Sequence, residues 1–236
     1  MTTDELARIA LYFAIPVLLL AFALLARMWE KRLVWPYALG DEPPQTSRMS
    51  TSVGAAGTLG FRRVSVGRDA KGSMYRIRYE FWLPPEHDSL LLIGGGSLAG
   101  MAVDGNWLFT RLSNGRCLVS VDDLRGSEYD LTGLSDEAIH PGVSLRELLD
   151  RHRARIAAAE APPLPYGDRD PTSEHRAFLT HRVQSLVQRG FAAWLDPSQS
   201  AWRYTAKGAL LGTIRSYSAG LLAALRSPLR VLRGAR

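Results

Sequence analysis

The densest run of glycine in the sequence, Leu90 to Gly100 (LLLIGGGSLAG), holds two patterns that could do chemistry. Gly94, Gly96 and Gly100 imitate the spacing of a dinucleotide-binding loop, and Gly95-Gly96-Ser97-Leu98-Ala99 approaches a nucleophile elbow. Both devices need a helix directly afterwards, whose free amides cradle a phosphate or complete an oxyanion hole. Met101 to Asn106 contains Asp104-Gly105 and does not read as that helix, so turn or bulge glycines are expected. The five histidines, His87, His140, His152, His175 and His181, show no zinc spacing, and each is expected at the surface. Cys117, the one cysteine, sits in the strand-like CLVSV and is expected as a buried thiol. The acids of Asp122 to Gly142 lack the alternation of a calcium loop and read as a solvated acidic loop. No catalytic, metal-ligating or cofactor-binding residue is assigned, and no cofactor is implied.

Charge gives a broader signal. Of the 29 basic residues, 26 are arginine, which reads as the codon bias of a GC-rich bacterial genome. Between Ser173 and Arg236 there are ten basic residues against Glu174 and Asp196, although the whole chain carries only +6. An anionic surface, nucleic acid or phospholipid, is the partner such a field suits.

The elements that would position these groups begin with the uncharged run Ile9 to Ala26. Eighteen residues at about 1.5 Å each match the ~30 Å core of a bilayer, with Pro16 tolerated as a kink. A single membrane-spanning anchor is therefore expected over 1–35 with its flanks. Arg27, Lys31 and Arg32 follow the run while only Arg8 precedes it, which places the N-terminus outside and the bulk of the chain in the cytoplasm. Trp29, Trp35 and Tyr12 suit the interfacial belts. Residues 36–60, rich in Pro, Gly, Ser and Thr, read as a flexible linker.

From 61 to 142 the apolar rhythm has period two, clearest at Met74 to Leu83, and the strands follow closely enough for a small antiparallel meander. Asn114-Gly115 predicts a hairpin with a type I′ turn, and Asp104-Gly105 repeats the device. Ser144-Leu-Arg-Glu147 is a capping box opening a helix to about Glu160, and Asp170-Pro171 opens a second that Gly190 closes. Two short strands around Asp196-Pro197-Ser198 and a helix from Ala206 complete the region 143–208. The tail 209–236 is a basic amphipathic helix whose segment 209–226 suits a membrane interface, with Arg215, Arg226, Arg230, Arg233 and Arg236 toward lipid head groups.

The order helix, Gly190, Phe191, polar turn, strand ending in Tyr204-Thr205, then Gly208 resembles the C-terminal half of winged-helix domains over residues 173–212. The resemblance implies that the threonine caps the next helix and the glycine permits close packing. It also implies that Arg176, His181, Arg182, Gln184, Ser185, Gln188 and Arg189 face nucleic acid, with Arg203 and Lys207 beside them. The expected fold class is thus α+β, with a membrane helix, a linker, a meander and a winged-helix-like basic region. The expected function is a membrane-anchored interaction or scaffold module for a protein partner. A tethered nucleic-acid binder and an enzyme with an unrecognised site are the alternatives.

Overall fold

The computed structural model describes residues 18, 21–22, 24–40, 46–70, 75–98, 101–122, 133–167 and 169–214. Its centre is a seven-stranded sheet of β2 (Tyr37–Leu39), β3 (Arg62–Asp69), β4 (Tyr75–Leu83), β5 (Leu90–Leu98), β6 (Met101–Arg111), β7 (Cys117–Val121) and β8 (Ser135–Ile139), ordered in space as in sequence. Every pairing is antiparallel except β7 with β8, which is parallel. The expected antiparallel meander is therefore corrected to a larger mixed sheet, and part of the acidic loop becomes its edge strand. Ser135 faces in while Asp136 is exposed, so part of the acidic stretch that suggested a loop is a strand with one acid turned outward.

Helices cover both faces of the sheet, which explains why LLLI at 90–93 is apolar without alternation. Leu90, Leu92, Phe81, Phe109 and Val119 point to one side, where Tyr166 and Leu179 meet them. Leu91, Ile93, Trp82 and Leu108 point to the other, under α2 (Ser47–Thr58) and α3 (Leu145–Ala157). α2 replaces the expected linker. Thr46 caps it by accepting from the Met49 amide, and Met49, Val53 and Ala56 recur at helical steps toward the sheet.

The second sheet has three strands in the order β1 (Arg32–Leu33), β10 (Ala201–Tyr204), β9 (Ala192–Trp194). It packs with the C-terminal half of α4 (Pro171–Gln188) and with α5 (206–214) around Val183, Leu186, Phe191, Trp202 and Tyr204. Asp170 accepts from the Thr172 and Ser173 amides at the start of α4, and Gly190 closes it at φ +71°.

Among the described residues no helix is long and apolar enough to cross a membrane, which overturns the spanning helix over 9–26. The physical reason lies at its C-terminal end: residues 24–29 form a helix, α1, whose Leu24 and Met28 pack on the core of the three-stranded unit. One face of that end is covered by protein. Residues 1–17, 19, 20 and 23 lie outside the described residues, Tyr12 and Pro16 included. The membrane localisation, with the N-terminus outside and the bulk of the chain in the cytoplasm, falls with the span that carried it. Trp35, expected at a membrane interface, packs against the sheet.

The glycines of β5 are explained by close approach. A Cβ on Gly94 would meet the Tyr79 and Trp107 rings at 3.0–3.2 Å, and one on Gly95 would meet Met49 Cβ at 2.7 Å and Thr46 Oγ1 at 2.9 Å. They lie inside a strand, not in a turn, and neither starts a phosphate-binding helix. Asp104-Gly105 likewise lies within β6. At Asn114-Gly115 the chain does turn, but only Gly115 has positive φ, and Leu112 N–H donates to Arg116 C=O across three residues instead of two. Gly95→Ala should destabilise by about 1–3 kcal/mol by pushing α2 off the sheet. Gly54→Ala, on the open face of α2 with nothing within 4 Å of its Cβ, should stabilise by about 0.5–1 kcal/mol. Urea titrations of the two variants should move in opposite directions.

Candidate functional site

Two of the five histidines are enclosed. On α3, Leu145, Leu148, Leu149 and His152 share one stripe, so His152 is driven against the sheet with Leu148. Its Nε2 lies 2.9 Å from Thr110 Oγ1 and its Nδ1 2.8 Å from Ser120 Oγ. Thr110 Oγ1 in turn meets Ser89 Oγ at 2.8 Å, and Ser89 donates to Asp88. At the far end Arg155 donates to Ser120 Oγ and to the Val119 carbonyl. Burial, with the charge of Arg155 and then of His140, pushes His152 down to about 3, so the ring is neutral. Histidine, hydroxyls and a carboxylate in one chain have the composition of a catalytic relay. Thr110, Ser120 and His152 are, however, all fully buried. The relay holds α3 on the sheet.

His175 is enclosed differently. On α4 it follows the inward stripe of Thr172, Leu179, Arg182 and Leu186. The rings of Phe109, Trp35, Phe81, Phe178 and Tyr37 surround it at centroid distances of 4.6–6.4 Å. Nε2 is buried with no hydrogen-bond partner, and burial alone lowers the ring to about 3. Both histidines correct the expectation of surface residues, and the helical stripe each occupies was the signal. Cys117 is buried as expected, its thiol pushed up to about 12 by burial. Among the described residues no three His, Cys, Asp or Glu side chains gather as a metal site.

The residues expected to face nucleic acid divide into two sets. Arg182 is turned inward and only 7% exposed, because it shares the buried stripe of α4. Gln188 and Arg189 are exposed at the end of α4, and Lys207 is exposed in the first turn of α5. The Arg189 guanidinium lies 5.3 Å from the Phe191 centroid and the Lys207 ammonium 4.8 Å from it. Arg203 is exposed on β10, between the buried Trp202 and Tyr204. Thr205 locks this end: its hydroxyl donates to the Gly190 carbonyl at 2.8 Å and accepts from the Gly208 amide at 3.2 Å. A Cβ on Gly208 would collide with the Phe191 carbonyl, so only glycine lets α5 start there. Asp196 fixes the β9–β10 turn by accepting from Ser198 Oγ and from the Ser200 and Ala201 amides, bonds that hold its carboxyl at about 2. Arg215, Arg226, Arg230, Arg233 and Arg236 lie outside the described residues, as does the segment 209–226 beyond Ile214. Within α5, Leu211 packs on the core while Leu210 and Ile214 are exposed.

A second basic surface was missed by the sequence. Arg111, Leu112, Gly115 and Arg116 of the β6–β7 turn face Leu164 and the Ala177, Phe178 and His181 positions of α4 across an open cleft of about 370 Å³. It joins residues 48 to 70 positions apart, from Arg116–Leu164 to Arg111–His181, with no spacing in the chain to announce it. No family model, no curated protein and no solved structure matches the chain, so what it does has to be read from its own geometry.

The two buried histidines should respond oppositely to the same replacement. His175→Phe fits the aromatic surroundings and removes an unpartnered nitrogen, so it should leave stability at pH 7 unchanged or higher. His152→Phe should cost about 1–3 kcal/mol by stripping Thr110 and Ser120 of a partner. Because each ring titrates near 3 in the folded chain and near 6.5 unfolded, each contributes fully above about pH 6.5 and loses ~1.4 kcal/mol per pH unit as the pH falls toward 3. Urea midpoints at pH 7 and pH 4.5 should therefore differ less for His175→Phe than for the parent chain, and an equal difference would contradict this account.

Proposed function

We propose that this chain is a non-catalytic interaction module that engages an anionic partner through the basic end of α4 and α5. The observation that carries the reading is the convergence of Arg189 and Lys207 on one aromatic ring. Both exposed cations are held at the ring and make no ion pair with any described residue, which leaves their charges open to a bound anion. Gln188, exposed next to Arg189 in the chain, offers a neutral donor, and Arg203 adds an exposed positive charge on β10. The locked Thr205 and Gly208 junction holds the cations in place, so little ordering accompanies binding.

A narrower form of this reading makes the partner a nucleic acid. It is favoured by the order helix, Phe191, turn, Thr205 and Gly208, and by the short β9–β10 hairpin that projects beside the basic end. Arg182 takes no part in either form, and the contacts fall on Gln188, Arg189, Arg203 and Lys207.

The test uses the full chain, with a labelled 20-base-pair duplex and a polyglutamate peptide as probes and fluorescence anisotropy as readout. Binding to either should weaken with salt, and the duplex slope of log affinity against log salt should approach −0.9 per phosphate neutralised. Arg189→Gln with Lys207→Gln should reduce that slope by about 2. Preference for the duplex selects nucleic acid, and preference for polyglutamate selects an acidic protein surface. If neither probe binds, or if the double variant leaves the slope unchanged, the reading is wrong.

A further inference from the structure

The cleft between α4 and the β6–β7 turn lies apart from the basic end, and its chemistry differs. Its volume of about 370 Å³ falls within the ~300–1,000 Å³ of small-molecule sites. Leu112, Leu164 and the half-buried Phe178 supply an apolar floor. That floor is held firmly: Leu112 bridges to Pro163 and its amide donates to the Arg116 carbonyl, while Leu164 N–H donates to the Arg111 carbonyl.

Three basic side chains rim the floor, in two different conditions. Arg111 is fixed, ion-paired to Glu174 and lying 6.0 Å from the Tyr166 ring. Glu174 is itself taken up by Arg111 and Arg169. Arg116 and His181 are exposed, and neither side chain makes a hydrogen bond or ion pair among the described residues. An apolar floor under one paired guanidinium and two uncommitted basic groups suits a ligand with an apolar body and one oxyanion. The geometry points to a binding site for a small amphipathic anion, a carboxylate or phosphomonoester on an aryl or alkyl group, with its head on Arg116 and His181 and its body on Phe178. A cation would meet like charge at the rim, and a fully polar anion would leave the floor uncovered. The site is independent of the proposed partner surface, since Arg189 and Lys207 do not line it.

Calorimetry or NMR titration of the full chain with 4-phenylbutyrate, phenyl phosphate and the neutral 4-phenylbutanol tests the assignment. At least one of the two anions should bind with about millimolar affinity, the range of so small a probe, and the alcohol should bind about tenfold more weakly or worse. Whether the acid or the phosphate binds better identifies the head group. Arg116→Gln should weaken the anion about tenfold, as loss of one charge-assisted hydrogen bond does. Ala177→Trp, at an exposed helix position lining the cleft, should abolish binding by filling the space without touching the core. If neither anion binds, if the alcohol binds equally well, or if Ala177→Trp leaves binding intact, the assignment is overturned. The double variant at Arg189 and Lys207 should bind the probes normally, which separates this site from the partner surface.

Discussion

A sheet covered on both faces leaves little water for the polar side chains that its alternation buries, and leaving one without a partner inside is costly. That constraint orders the face under α2 and α3. Glu80 is fully buried on β4 and accepts from Arg78 Nε at 2.9 Å, Arg78 Nη2 at 2.7 Å and Trp82 Nε1 at 3.1 Å, with Arg63 3.9 Å away. Along β6 the inward polar residues each reach a different neighbour: Asp104 takes Thr46, Asn106 takes Ser52 and Asp122, and Thr110 takes Ser89 and His152. Each bond contributes only about 1 kcal/mol, but leaving a buried partner unmatched costs more. The helices can therefore sit in only one register on the sheet, and polar pairing fixes it where apolar packing alone would tolerate slippage.

The same constraint separates what was legible in the sequence from what was not. Strands with one polar face announced themselves through alternation, and the caps at Ser144 and Asp170 are local chemistry that needs no tertiary context. α2 was hidden because Ser47–Thr58 is built of glycine, serine and threonine, weak helix formers whose inward triplet Met49, Val53 and Ala56 needs the sheet to give it meaning. Strand β8 was hidden because Asp136 and Glu137 dominate a five-residue segment. The spanning helix was misread because composition does not show whether a leucine contacts lipid or protein, and Leu24 and Met28 contact protein.

The functional surfaces show the limits of linear reading in another way. Arg189, Phe191 and Lys207 lie close in sequence, and their association could be anticipated from the helix end and the turn that follows. The cleft under Arg116 could not, since its walls come from a hairpin and a helix 60 residues later, and nothing in either segment refers to the other. His152 and His175 lie between these cases. Their helical stripes were visible, but the hydroxyls and rings that receive them come from strands β4, β6 and β7.

The pairing of Arg32 with Trp202 and of Leu33 with Ala201 joins parts of the chain separated by about 170 residues. The seven-stranded sheet, by contrast, is assembled from neighbours in sequence order between residues 37 and 139. During synthesis the large sheet can close while the ribosome is still translating α4, whereas β1 must wait, unpaired, until Tyr204 has emerged. Nonlocal closure of this kind is slow relative to hairpin zippering. Among the described residues, the small unit that carries the basic surface can thus close only after every strand of the large sheet has been made, and a nascent chain truncated before residue 201 would hold all seven strands of the large sheet and a β1 with no strand to join.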